Sequence, residues 1–503
     1  MAKACQFSNK NHPLATLKEK TISGLIWSFT DKFSRQGIAF VVGIILARLL
    51  TPREFGLIGM ITIFIAIAQP IVDSGFNQAL IRKKDCTQTD YSTVFYFNMI
   101  IGVVFYILLF TFAGSISRFF DEPELKWLVR VIALSIIIQS ITLIQATTLT
   151  KKVDFKLLAK IGVISSAFSG AIGITMAYYG FGVWSLVVRM LVAEVISSFL
   201  LWLWNRWRPS LIFSKKSFNE LFSFGSKLLI SRLLSIAERN IYYVVIGKYF
   251  SAQDLGFYTR GKNFNDLLSQ QMTVTIDRVT YPVLAQLQDD KIMLKSGYKK
   301  MIKSTMFVSF LLMAGLAAIA EPLVLTLIGE QWRASIIYLQ LLCFVSMMYP
   351  LHSLNLNMLK VSGRSDLYLK INIVKKILTV PNIIIGVIWG IEAMILGMWA
   401  TSLIAYYLNS YYSGRNINYS MREQVSDIFP SFLLALIIGA VVFIAGWYIP
   451  LGNLSKLILQ IIIGGLVTIS LGEIIKPESY IYIKRILVEK TSSLYYAYKA
   501  KNK

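Results

Sequence analysis

"LLTPREFGLIGM", residues 49–60, breaks into one of the most apolar stretches of the chain, and "YFSAQDLGFYTR", residues 249–260, writes the same turn again. In each copy a hydroxyl residue, Thr51 or Ser251, stands three positions before a carboxylate, Glu54 or Asp254. That is the spacing of a capping box at a helix start, and Pro52 suits the first helical position. Arg48 and Lys248 correspond as well, as do Gly56 and Gly256. Ser251 lies 200 positions after Thr51, so the repeated cap measures a repeating unit.

Fainter correspondences keep about the same offset, roughly 200 to 212. "GFGVWSLVV" from Gly180 lies on "GIEAMILGM" from Gly390, and "RFFDEPELKW" from Arg118 on "LIGEQWRASI" from Leu327. "KKVDFKLLAK" from Lys151 resembles "SGRSDLYLK" from Ser362.

Between these markers the chain is too apolar for a water-soluble protein: 55% hydrophobic, 16% charged and with a mean hydropathy of +0.59. Apolar runs of about twenty residues recur, as spanning helices require. Spans are expected at roughly 22–50, 54–79, 92–117, 125–149, 157–179 and 183–205, then at 221–250, 254–286, 300–320, 334–360, 367–389, 392–412, 429–448 and 454–475. A β-barrel would show short alternating segments instead.

The expected fold is therefore an all-α integral membrane protein of about fourteen transmembrane helices. Two six-helix lobes, 1–208 and 209–417, are related by a pseudo-two-fold axis along the membrane normal, since an even repeat enters the membrane from one side each time. Helices thirteen and fourteen occupy 418–476, and 477–503 reads as a basic amphipathic tail on the inner leaflet. A transporter of this plan holds its substrate between lobes.

The net charge of +24 would suggest nucleic acid in a soluble chain. Here Arg82-Lys83-Lys84, Lys151-Lys152, Arg206 to Lys216, Lys291 to Lys303 and Lys360 to Lys370 fall in alternate loops, which is the positive-inside pattern and places both termini in the cytoplasm. No nucleic-acid partner is expected. The polar first twenty residues show no cleavable signal. Cys5, Cys86 and Cys343 are scattered, and His12 and His352 are isolated, so neither a disulfide framework nor a metal site is expected. The Asp289-Asp290 pair sits in a lysine-rich linker and reads as solvated. No P-loop, Ser-His-Asp set or HExxH occurs, and the chain is not expected to be an enzyme.

Charged groups at membrane depth cost about 2.5–3.5 kcal/mol each and normally face a partner or water. Helix one carries Asp31, Lys32 and Arg35; helix seven carries Lys227, Arg232, Glu238 and Arg239. Lys32 and Arg232 occupy equivalent repeat positions. Helix eight places Asn263, Asp266, Gln270, Thr273 and Asp277 on one face, and helix two shows Gln69, Asp73 and Asn77. These faces suggest a wet, cation-bearing cavity suited to an anion, whose oxygens match guanidinium groups.

Plainer readings compete. Asp31 and Arg35, four apart, neutralise each other as readily as they meet a ligand. Lys227 and Arg278 lie near helix ends, where they snorkel. Glu194 is either a coupling carboxylate or the partner of Arg189. Arg232 and Arg239, seven apart on one face, fit a cavity best.

Several stretches then resemble a known family. "GLIWSFTDKFSRQGIAFVVGIILARLLTPREFGLIGM", "DSGFNQALIRKKD", "GFGVWSLVV", "IGKYFSAQDLGFYTR" and "HSLNLNMLKVSGRSDLYLK" are similar to the polysaccharide-transporter family, of O-antigen and colanic-acid exporter type, in the multidrug/oligosaccharidyl-lipid/polysaccharide superfamily. The likeness runs from about Lys18 to about Lys476. It implies two six-helix lobes and translocation of undecaprenyl-diphosphate-linked oligosaccharide across the bacterial inner membrane by alternating access, for surface-polysaccharide synthesis.

Basic cavity residues are implied to meet the diphosphate. Lys32, Arg35, Arg232 and Arg239 are the candidates, with Asn263, Asp266 and Gln270 on the glycan path. Asp31, Glu194 and Asp277 are candidates for ion coupling, with H+ or Na+ as the ion and no cofactor. Membrane lipids and polymerase and glycosyltransferase machinery are the expected partners of a monomer. Two other readings stay open: a cation-coupled drug exporter of the same superfamily, against which the cation excess speaks, and a membrane polymerase or ligase of lipid-linked glycans, for which no outer loop is long enough.

Overall fold

The computed structural model describes residues 17–489 apart from 416, 449 and 487, and among them the regular structure is helical throughout. The leader reading therefore falls mostly outside the described residues, as does the end of the tail. The chain divides into two compact units, residues 1–241 and 242–503.

The first unit contains α1 (Leu17–Leu49), α2 (Pro52–Asp73), α3 (Phe76–Arg82), α4 (Gln88–Phe120), α5 (Leu125–Ile132), α6 (Leu134–Lys151), α7 (Phe155–Tyr178), α8 (Val183–Trp204) and the larger part of α9 (Lys215–Tyr249). The second holds the rest of α9, then α10 (Ala252–Gln286), α11 (Lys291–Ala318), α12 (Ala320–Leu327), α13 (Ser335–Ser346), α14 (Tyr349–Val361), α15 (Ser365–Trp389), α16 (Ile391–Arg415), α17 (Met421–Tyr448) and α18 (Asn453–Ile475).

Each expected span falls on a helix, and three are interrupted: 54–79 is α2 and α3, 125–149 is α5 and α6, and 334–360 is α13 and α14. Short α12 was not anticipated. Eleven stretches among the described residues are long and apolar enough to cross a membrane. Three more are of crossing length, α1, α9 and α10, at 33, 35 and 35 residues, and each is too polar to join them. They carry most of the charges that the sequence places at membrane depth.

The outer faces fit a lipid surround. On α18, Ile458, Ile461, Ile462, Leu466 and Ile469 are each more than half exposed, while Leu457, Gln460 and Gly472 are buried. In water, leaving five such side chains uncovered would forgo about 1.5–3 kcal/mol apiece. A hydrocarbon surround removes that cost.

Both opening motifs form the caps read from them. The Thr51 amide donates to the Glu54 carboxylate at 2.6 Å, and α2 starts at Pro52. The Ser251 amide donates to Asp254 at 3.2 Å, and the Asp254 amide donates back to the Ser251 hydroxyl at 3.0 Å. Two motifs that looked separate also meet. A Cβ on Gly182 would lie 2.5 Å from a Glu54 carboxylate oxygen, so the "GFG" turn packs against the α2 cap. A third capping box, Thr87 with Asp90, starts α4.

α2 does not run through to residue 79. It stops at Asp73, because Ser74 and Gly75 adopt left-handed conformations (φ 46° and 74°) before α3 restarts the helix. α9 crosses at this break so closely that a Cβ on Gly75 would sit 2.3 Å from the Gly225 carbonyl oxygen, and one on Gly225 would sit 2.5 Å from that of Ser74. Phe76 of α3 then packs on Phe218 and Phe222 of α9, and the Arg82 guanidinium lies 4.5 Å over Phe224. Lys83, read as part of a basic loop, bridges Asp90 at 3.2 Å and Glu220 at 3.0 Å. Burial pulls its pKa down, but hydrogen bonds to Glu220 and Asp90 outweigh this and leave it above the ordinary lysine value. The first part of α9 is thereby fixed to the first unit.

Candidate functional site

A cavity of about 690 Å3 opens within the first unit. Four helices wall it: α2 through Gln69, Pro70, Val72 and Asp73; α6 through Gln139, Thr142, Leu143 and Ala146; α8 through Glu194; and α9 through Ser231, Arg232, Ser235, Ile236 and Arg239. The α9 residues recur at steps of one, three, one and three, so a single helix face supplies them. Irregular backbone at membrane depth is tolerated where it lines such a cavity, and the Asp73–Ser74–Gly75 break lies at its wall.

Arg232 donates to the Asp73 carboxylate at 2.9 Å. The other Asp73 oxygen accepts the Asn77 amide of α3, also at 2.9 Å. Arg239 is exposed and has no acidic partner among the described residues. Glu194 accepts from the Gln139 side chain at 2.9 Å, not from Arg189. Five positions on a helix turn through about 500°, well away from a common face, and Arg189 instead lies along α7, where a Cβ on Gly173 would meet its stem at 2.9 Å. The alternative of a local Glu194–Arg189 pair is thus replaced by an interhelical contact.

Within this one-unit cavity the charges balance. Its charged lining is two arginines, Arg232 and Arg239, against two carboxylates, Asp73 and Glu194. Asp73, the last residue of α2, lines it together with Gln69 one turn earlier. Lys32 and Arg35 do not line this cavity. Arg35 pairs with Asp31 one turn before it, and both rest where a Cβ on Gly162 of α7 would sit, 2.5 Å from Arg35 and 3.1 Å from Asp31. Lys32 is exposed, with no acidic partner among the described residues.

In the second unit, the polar face of α10 is open rather than packed. Asn263, Gln270 and Asp277 are exposed and Asp266 is half-buried, whereas Asn265 and Ser269 of the same helix are buried. Asp266 pairs with Lys262 at 2.6 Å. Asp277 accepts from Ser353 and, at 2.8 Å, from Asn357 of α14. The first unit has the matching contact: Asn77 accepts from Thr147 of α6 at 3.0 Å. Asp277 therefore stands in an interhelical bracket, which the ion-coupling reading had not foreseen.

Sequence reading missed Gln139, Thr142 and the Ser231–Ser235 pair. Uncharged polar residues inside apolar spans were the available signal, but such residues satisfy helix carbonyls just as often: Thr142 also donates to Ile138.

Regular structure that is all helical among the described residues, many helices long and apolar enough to cross a membrane, and a cavity with charged lining inside one unit place the chain in the class of polytopic transporters. The fold resembles those of solved lipid and multidrug transporters. It matches the lipid II flippase MurJ in an inward closed conformation with a TM-score of 0.71 at 15% identity, covering 90% of this chain and all of that one. It matches an inward-facing multidrug MATE transporter with 0.59 at 15%, over 76% and 94%. The family model described as "Polysaccharide biosynthesis protein" matches residues 45–337, more than half of the chain, and the chain belongs to that family. Among relatives, the lipopolysaccharide biosynthesis protein WzxC of Escherichia coli is 25% identical, covering 84% of this chain and 86% of its own. The teichuronic acid biosynthesis protein TuaB of Bacillus subtilis is 26% identical, over 70% and 74%.

Proposed function

We propose that this protein is a flippase that moves an undecaprenyl-diphosphate-linked oligosaccharide across the bacterial inner membrane by alternating access, supplying surface-polysaccharide synthesis. It works as a monomer in all fourteen spans, α1, α9 and α10 included, with both termini cytoplasmic. It needs no cofactor and catalyses no covalent step; H+ or Na+ drives the cycle. The observation that carries this reading is the pair of guanidinium groups, Arg232 and Arg239, on one face of α9 in a cavity whose other lining residues are two acids, neutral hydrogen-bonding side chains and the apolar Pro70, Val72, Leu143, Ala146 and Ile236, in a chain of the polysaccharide biosynthesis family. Arginine recognises phosphate oxygens with geometric specificity, and Gln69, Gln139, Thr142, Ser231 and Ser235 offer donors and acceptors to sugar hydroxyls. In the second unit, Asn263, Asp266 and Gln270 of α10 are the polar groups assigned to the glycan.

Glu194, held by a neutral amide, is the carboxylate best placed to exchange an ion. Asp31 and Asp277 already have partners and are weaker candidates. Glu194 is also the one feature that favours a cation-coupled drug exporter. The test is translocation of lipid-linked oligosaccharide in proteoliposomes by a variant carrying Arg232→Ala and Arg239→Ala. The expected result is a folded protein with flipping lowered at least about 100-fold, since hydrogen bonds to charged groups contribute about 1.5–3 kcal/mol each. Undiminished flipping overturns the reading, and retained drug efflux with no glycan defect replaces it by the exporter.

A further inference from the structure

Of the two lining acids, only one holds a lining cation. We propose that Asp73 is the resident anion of the cavity: it occupies Arg232 when no substrate is bound, and a diphosphate must displace it. This rests on the reading of the cavity as a diphosphate site.

The pair is built so that Asp73 stays in place and keeps one hydrogen bond when Arg232 turns to a ligand. Asp73 is 7% exposed at its side chain and Arg232 39%, so the guanidinium already faces the cavity while the carboxylate lies in the wall. Asp73 is held independently of Arg232, because its second oxygen accepts the Asn77 amide. Its backbone is fixed by the left-handed turn at Ser74–Gly75 and by the crossing of Gly225. Arg232 follows Gly225 by seven residues, two turns along the same face of α9, so one helix crossing sets the register of both partners. The Asp73 contact uses a single nitrogen of a guanidinium that has five N–H donors.

Arg239 lies about 10 Å further along the helix, a spacing that two extended side chains can close around one diphosphate. Displacement then has consequences for selectivity. A monophosphate that takes the place of Asp73 reaches only one guanidinium, exchanges one oxyanion contact for another and gains little. A diphosphate that reaches both Arg232 and Arg239 gains a second guanidinium for the same loss. Asp73 thus acts against ligands that reach only one guanidinium, a repulsive element of the kind specific sites use.

The experiment is binding of undecaprenyl diphosphate and undecaprenyl monophosphate to the purified full-length chain in lipid nanodiscs. Four forms are compared: wild type, Asp73→Asn, Arg232→Gln and Arg239→Gln. Asparagine keeps the side-chain oxygen that accepts the Asn77 amide and removes the charge. Asp73→Asn is expected to bind both lipids more tightly, the monophosphate by about tenfold and by more than the diphosphate, so that discrimination narrows. Both arginine variants are expected to weaken diphosphate binding. Unchanged or weaker binding by Asp73→Asn, with both arginine variants impaired, overturns the role of Asp73 and leaves the diphosphate site standing. Wild-type binding by all three variants overturns the site itself. If Asp73→Asn does not yield a monodisperse protein, Asp73→Ser, which also retains an acceptor, is held to the same outcomes.

Discussion

Residues 69–79 and 269–279 stand at the same place in the two repeats, and they are built differently. In the first unit α2 ends at Asp73 and the chain restarts as α3; in the second, α10 runs unbroken from Ala252 to Gln286. The divergence lies in two positions. Ser74 and Gly75 take positive φ, while Val274 and Thr275 are β-branched residues for which that conformation is strongly unfavourable. A matching backbone approach, that of Gly225 onto Gly75, accompanies the break. The difference teaches that equivalent polar faces of the two repeats need not meet the same surroundings, because what crosses each face decides that. Asp73 is nearly buried with a cationic partner, whereas the polar face of α10 stays open.

The strongest way to break this comparison is at its hinge. Gly75→Ala adds a Cβ 2.3 Å from the Gly225 carbonyl at a left-handed position and is expected to destabilise the protein by about 3 kcal/mol. Thr275→Ala, at the exposed equivalent site, should stay within about 0.5 kcal/mol. Thermal unfolding in detergent compares the two, and equal losses would show that the break has no special packing.

A smaller effect tests the shared brackets. Thr147→Val leaves the Asn77 carbonyl oxygen without its donor, and Ser353→Ala removes one of two donors to Asp277. The expected losses are about 1–2 kcal/mol for the first, where a half-buried oxygen loses its side-chain donor, and less for the second, where Asn357 remains. Parallel denaturation curves check the order, and a larger loss at Ser353 contradicts it.

The smallest difference is at the caps. Thr51→Ala and Ser251→Ala should each cost about 1 kcal/mol, and equally, because both boxes form. A clearly larger loss at Thr51 would assign extra weight to the Glu54–Gly182 contact.

Legibility followed the range of the interaction. The spans, the two capping boxes and the polar face of α10 were readable because hydropathy, cap spacing and helix periodicity involve residues within one or two turns. "DSG" was visible as well, yet it was absorbed into an apolar span. A left-handed Ser74 is no more than an option in the local sequence, and it is adopted here where Gly225 crosses. Arg232 and Arg239 were chosen from their common face, and the structure gives that face to the cavity. Lys32 and Arg35 were chosen by the same logic on α1, but helix periodicity does not say which neighbour a face meets, and Arg35 turns to Asp31 and Gly162.

By itself, then, the sequence determined a helical membrane chain with a repeated unit and the helices that carry charge into the membrane, since hydrophobic length and local capping dictate those. The tertiary structure decided that Asp73 and Arg232, 159 positions apart, share one wall. It also decided that Glu194 answers to Gln139 rather than to Arg189. Such pairings depend on which helix faces cross and how closely their backbones approach, and side-chain-free positions such as Gly75 and Gly225 declare that only when brought together.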